Sequence, residues 1–183
     1  VTSNTAKLTI GTKVSVSGPT SVKTIENTKD VTFTVNATGE GDFEYQWYKN
    51  TKNSTDGGQA ITGQTGNTYT IPKASVTTSL NNTYYYCTVV QKYGESTETV
   101  NSGVAGLSVI AKASITGQPA SMEVIAGKAD VTYTVNVTGD GTLVYQWYKN
   151  TNNSTSGGQK ITGAVGNTYT IQKASVTTSL NNT

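Results

Sequence analysis

Histidine and arginine are absent from these 183 residues, and cysteine occurs once, at Cys87. Without histidine, neither a Ser-His-Asp nor a Cys-His arrangement can be assembled. One cysteine cannot supply a zinc site or an intrachain disulfide. The 13 positive charges are all lysine and face 11 acids, so a formal charge of +2 offers nucleic acid no basic patch. No apolar run approaches the length needed to cross a bilayer. No leader, lipidation or sorting motif is found in the sequence, so export would make these residues an interior piece of a longer protein. The acids Glu40, Asp42, Glu44 and Asp140 cluster at turns without Asp-x-Asp spacing, which favours solvated turns over a calcium site. Gly39, Gly41, Gly57 and Gly58 are followed by no Lys-Ser/Thr and no helix, so they read as turn glycines rather than a phosphate loop. The expectation is a protein that is not an enzyme, with no cofactor and no metal.

What the chain does have is threonine, its commonest residue, together with 11 Tyr, 2 Trp and regular Val/Ile alternation. Threonine suits the wet face of a strand, and the aromatic and β-branched residues suit the dry face. The same residues argue against disorder, which a polar composition alone would allow. The segment 45–83 also returns at 145–183 with six of its 39 positions changed, namely 52, 56, 60, 64, 65 and 72. A copy this faithful marks a repeated module of about a hundred residues.

Within the module, alternation is the dominant period. Val31-Thr-Phe-Thr-Val35 and Val131-Thr-Tyr-Thr-Val135 place apolar residues on one face and Thr on the other. After the turns 38–41 and 138–141 comes Tyr45-Gln-Trp-Tyr-Lys-Asn50, unchanged at 145–150. Tyr45 and Trp47 share one face of that strand, Gln46 and Tyr48 the other. Asp56-Gly-Gly58 marks a turn, 67–71 a short strand, and 72–82 a polar corner. Tyr84-Tyr-Tyr-Cys-Thr-Val-Val-Gln91 predicts a strand that ends in the turn 92–95, and 96–109 one more strand or a pair. Short strands with frequent turn signals predict a β-sandwich or barrel.

Trp47, Tyr85 and Cys87 narrow that choice. Their order resembles the immunoglobulin fold, with a core Trp on the third strand, a tyrosine corner, and a Cys two residues beyond it. Where the partner Cys would stand the chain has Val35, and Val135 in the second copy. Cys87 is therefore expected as a buried free thiol between Val35 and Trp47. The pattern Tyr-Gln-Trp-Tyr-Lys-Asn, a Gly-Gly turn, Thr-Tyr-Thr, then Thr-Tyr-Tyr-Tyr is closer still to tandem bacterial immunoglobulin-like domains of cell-surface and extracellular proteins. The fold class expected is all-β: immunoglobulin-like β-sandwich modules in tandem, with Greek-key connections and no disulfide. Val35, Trp47, Tyr85, Cys87, Val135 and Trp147 are the expected structural core.

Residues 1–10 align with 100–109, setting Ala6 over Ala105 and Leu8 over Leu107. Because 100–109 follows the Cys-bearing strand, 1–10 is expected to be the closing strand of a preceding module. The chain then divides into that strand, a complete domain over 11–110, and an incomplete one over 111–183 that lacks the last two strands. Such a piece should leave Trp147 and Val135 half covered. It would be completed by a longer parent chain, or by another copy that donates its own 1–10 segment.

Tyr48, Tyr84 and Tyr86 are expected to face outward on one sheet, with Tyr93 at the adjacent turn. Such a row could stack on a host glycan or anchor a host protein, although cross-strand pairing of tyrosines is the plainer reading. The resemblance implies a structural or adhesive repeat at the bacterial surface, acting as a stalk or spacer. Its expected partners are neighbouring modules of the same chain or of identical copies, with no nucleic acid and no membrane insertion. The rivals are a self-assembling filament, surface-layer or virion protein, and a binding module built on those tyrosines.

Overall fold

The computed structural model describes residues 1–180. Two compact units divide the chain, Val1–Ala111 and Lys112–Thr183.

In the first unit, alternating residues build two facing layers. One layer holds β1 (Ser15–Ser17), β3 (Val31–Thr34), β4 (Asn36–Thr38) and β7 (Thr68–Ile71). β1 pairs with β4 and β3 with β7, both antiparallel, and β3 and β4 are one run broken only at Val35. The facing layer runs β2 (Val22–Ile25), β10 (Ala105–Ile110), β8 (Thr83–Tyr93), β5 (Asp42–Asn50) and β6 (Gln59–Ala60), with β9 (Ser96–Asn101) also on β8. Thus β5 and β8 are neighbours although β7, between them in sequence, lies in the other layer. That is a Greek-key crossing.

The Val/Thr alternation of β3 works as the period of two requires. Val31 and Phe33 are buried, while the hydroxyls of Thr32 and Thr70 meet at 2.8 Å on the wet face. β10 repeats the scheme with Ala105, Leu107 and Val109 inside. These residues join Val14, Val35, Trp47, Ile71, Val76, Tyr85, Cys87 and Val89 in one core. Each large side chain so sealed contributes about 1.5–3 kcal/mol of transfer free energy. Strand order, the buried Trp on β5 and the tyrosine two residues before Cys87 together define an immunoglobulin-like β-sandwich, all-β and without a disulfide.

The second unit repeats half of this. β12 (Val131–Thr134) pairs with β16 (Thr168–Ile171), in the register by which Val31–Thr34 pairs with Thr68–Ile71. β11 (Ser114–Gly117) pairs with β13 (Asn136–Thr138), and β14 (Tyr148–Lys149) with β15 (Gln159–Lys160). Here the strand that carries Trp47 is reduced to two residues, since β5 has nine and β14 two. Val135 and Trp147 are half-buried, so they do not join a sealed core as Val35 and Trp47 do. Among the described residues nothing takes the place of β8, so their second face stays open. Residues 1–10 form no strand and are exposed throughout. In sequence alignment they match 100–109, whose β10 portion is sealed by β8 and β2; no such neighbours flank 1–10.

Candidate functional site

The centre of the first unit is an inert core rather than a reaction site. Trp47, Val35 and Cys87 have no exposed surface, and Tyr85 is 1% exposed. The indole N–H of Trp47 donates to the Gly66 carbonyl at 2.9 Å, so the ring loses no hydrogen bond by burial. Phe33, Tyr85 and Tyr69 form a triangle of rings, with centroids 4.7 Å (Phe33–Tyr85), 6.5 Å (Phe33–Tyr69) and 5.7 Å (Tyr69–Tyr85) apart. The Tyr85 hydroxyl is 3.3 Å from that of Thr83, which in turn reaches the Leu80 carbonyl at 2.7 Å. Burial raises the Tyr85 and Tyr69 hydroxyls above their ordinary pKa. Burial also pushes the Cys87 thiol up to about 11, against a smaller lowering by the Gln46 backbone. A thiol held protonated in a dry core is neither nucleophile nor ligand.

The outward tyrosines are arranged differently from the sequence expectation. Tyr48 stands opposite Tyr86 across β5 and β8, and their rings stack at 5.0 Å with an interplanar angle of 4°. Tyr86, however, is only 4% exposed, which corrects the expectation of an open aromatic row. Its cover is the polar loop 51–58. A β-carbon placed on Gly58 would come within 2.6 Å of the Tyr86 ring and hydroxyl, so only glycine lets the loop lie that close. Asn50 fastens the loop: its amide donates to the carbonyls of Ser54 (2.8 Å) and Asp56 (2.9 Å), and its oxygen accepts from Lys52 N–H at 3.1 Å. Tyr84 stands apart, opposite Asn50 on one side and Gly106 on the other. Among the described residues no ring contact joins it to Tyr48 or Tyr86. The three therefore offer no continuous platform for a sugar.

The acids have ordinary partners. Glu44 pairs with Lys92, Glu98 with Lys13 at 2.7 Å, and Glu40 accepts from Thr12 at 3.5 Å. Among the described residues no three His, Cys, Asp or Glu side chains converge as a metal site, and no helix is long and apolar enough to cross a membrane.

Three buried polar residues do more than the sequence disclosed. Gln91 Oε1 accepts the Val14 N–H at 2.7 Å, and its Nε2 donates to the carbonyls of Thr12 (2.8 Å) and Glu40 (2.6 Å). It thereby ties the incoming chain to the 38–41 turn. Ser102, at the break between β9 and β10, accepts the Cys87 N–H at 2.9 Å and returns its own N–H to the Cys87 carbonyl at 2.8 Å. Asn50 completes the set. An amide ending a strand just before a turn was a readable signal for Asn50; nothing local distinguished Gln91 or Ser102. The core plug Val76, with no exposed surface, was also hidden because its neighbours are Ser and Thr.

No protein-family model matches the chain, and no curated protein matches it. Solved structures that resemble it are arrays of immunoglobulin domains. A three-domain fragment of titin matches at 18% identity and TM-score 0.45, over 71% of this chain and 44% of that one. Sidekick-1 immunoglobulin domains 1–4 match at 19% and 0.49, over 76% and 35%. The four N-terminal immunoglobulin domains of a Dscam1 isoform match at 18% and 0.43, over 95% and 41%. The chain spans less than half the length of each of these structures.

Proposed function

We propose that this chain is a non-enzymatic spacer repeat of an extracellular bacterial surface protein, whose modules in series hold a functional tip away from the envelope. The observation that supports this most is the module copied nearly verbatim, with 33 of 39 positions (39 less the six changed) the same at a spacing of one hundred residues. Selection for a ligand pocket works on particular surface residues. A sequence that serves by length needs only to fold, and to fold again in the next copy. A Thr- and Asn-rich exterior with a formal charge of only +2 gives charged partners no strong field to follow.

The rival binding reading required Tyr48, Tyr84 and Tyr86 in the open, and the burial of Tyr86 removes its central residue. The spacer reading is checked by preparing chains of two, four and eight modules and measuring their maximum dimension by small-angle scattering. Strand β8 has 11 residues, so at ~3.4 Å per residue each module should add about 35–40 Å, in proportion to module number. Growth that levels off as modules fold back on one another would sink the reading.

A further inference from the structure

Gly106 is a glycine that the fold does not require. It stands inside β10 on the outward face, between the buried Ala105 and Leu107. Its φ is not positive, and its pairing with Tyr84 keeps the regular register. A β-carbon there would lie 3.4 Å from Tyr84 Cε1 and 3.7 Å from Ser21 Oγ, which is ordinary contact, whereas Gly58 has no such room. In the alignment of 1–10 with 100–109, Lys7 occupies the same place, so the pattern accepts a long side chain there. Glycine inside a strand weakens it. Where neither a turn nor a bulge calls for one, a close approach by a ligand is the remaining use.

The space above Gly106 is a groove of about 200 Å³ on the outer face of β2, β10 and β8. Gly106 is its floor, Tyr84 one wall, and Ser21 and Lys23 the other, with Asn82 and Ser108 bordering it. Ser21 Oγ accepts the Gly106 N–H at 2.9 Å, and the Asn82 N–H donates to the Leu107 carbonyl at 3.0 Å, so the rim is fixed to β10. Among the described residues, the Lys23 ammonium, the Asn82 amide and the Ser108 and Tyr84 hydroxyls make no hydrogen bond within the chain. Lys23 is the one charged residue along the groove, and no acid lines it.

We propose that this groove binds one pyranose ring of a sugar acid, a saccharide that carries a carboxylate. The electron-rich face of an aromatic ring attracts the C–H groups of a sugar. The unpaired amide and hydroxyls exchange hydrogen bonds with the sugar hydroxyls, and Lys23 receives the carboxylate. Pockets that enclose a whole ligand run to roughly 300–1,000 Å³, so this smaller groove holds a single ring and leaves the rest of the glycan in solvent. The groups that set its depth and charge are not copied between modules: Glu123 stands in the second copy where the first has Lys23, as Lys7 stands where β10 has Gly106. The inference rests on Gly106 and its neighbours and holds whether or not the modules act as spacers.

The test titrates the full chain, labelled with nitrogen-15, with methyl glucuronide, methyl glucoside and acetate in turn, following the Gly106 and Ser108 amide resonances. The glucuronide should give saturable shifts with a Kd on the order of 1 mM, the scale for a ligand of about 14 non-hydrogen atoms. The glucoside has the ring without the carboxylate and should bind roughly two- to five-fold more weakly. Lys23→Gln, at an exposed site, should bring the glucuronide down to the glucoside's affinity. Acetate has the charge without the ring and should give no saturable shift. Gly106→Val fills the groove; it should abolish binding of both sugars and melt no lower than the parent chain. Absence of a saturable glucuronide shift overturns the proposal, as do equal affinities for the two sugars, unchanged glucuronide binding by Gly106→Val or Lys23→Gln, or an acetate response equal to that of the glucuronide.

Discussion

Cys87 and Gln91 show how single residues set the tolerance of this fold to pH and to substitution. The folded thiol of Cys87 keeps its proton to about 11, against 9.0 for an unburied thiol. Its folded pKa is raised, so its contribution is complete below pH 9 and is lost as pH climbs from 9 through 11. The loss by pH 11 is on the order of 2 kcal/mol. Tyr69, Tyr85 and Tyr86 are shifted the same way by burial, and they add to the decline above pH 10. Urea melts should therefore give level stability from neutrality to pH 9 and a fall beyond, with Cys87→Ala flatter between pH 9 and 10. Gln91→Leu would strand the Val14 N–H and the Glu40 carbonyl and leave the Thr12 carbonyl with only the Glu40 N–H at 3.2 Å. We expect a cost of about 2–3 kcal/mol in urea unfolding. The placement of Trp47, Tyr85 and Cys87 was legible because aromatic and sulfur side chains at period two have one dry face to occupy. Gln91 was not legible: its partners lie 77, 79 and 51 residues away, and no local pattern announces such contacts.

Elements report on the same physics through closeness of approach. The loop 51–58 lies over Tyr86 only because position 58 carries no side chain. Gly58→Ala would place a β-carbon 2.6 Å from that ring, whereas at Gly158 the nearest atom would be Tyr148 Cβ at 3.2 Å. Gly58→Ala should accordingly lower stability by about 1–3 kcal/mol, as overpacking does. Gly158→Ala should cost clearly less, and thermal melts of the two variants measure the difference. Strand alternation made β3, β5, β7 and β8 readable, and the Gly-Gly turn was readable as a turn. What alternation could not supply is which outward residue a loop will cover. Tyr86 therefore passed for an exposed residue, since the period of two gives a side and not an exposure. The two units also show how an element's length depends on its neighbour. Tyr-Gln-Trp-Tyr-Lys-Asn lies within a nine-residue strand beside β8 and shrinks to a two-residue strand without it.

At the scale of the whole molecule, the repeat was plain in the sequence, because a shared pattern needs no energetics to be seen. The sandwich itself was inferred from that pattern and is borne out by the two layers of the first unit. The two units should not unfold alike. Val1–Ala111 encloses a core of 13 buried residues, and in Lys112–Thr183 only Val131 and Val176 are buried among the described residues. Calorimetry should show one sharp transition for the first and a broad, early, weakly cooperative one for the second. The account depends above all on a closing pair of strands deciding whether the shared tryptophan is dry. Acrylamide quenching of Trp147→Phe and Trp47→Phe chains, each reporting on the tryptophan that remains, tests this most directly. Trp47 should be almost unquenched and Trp147 readily quenched; equal quenching of the two would contradict the account.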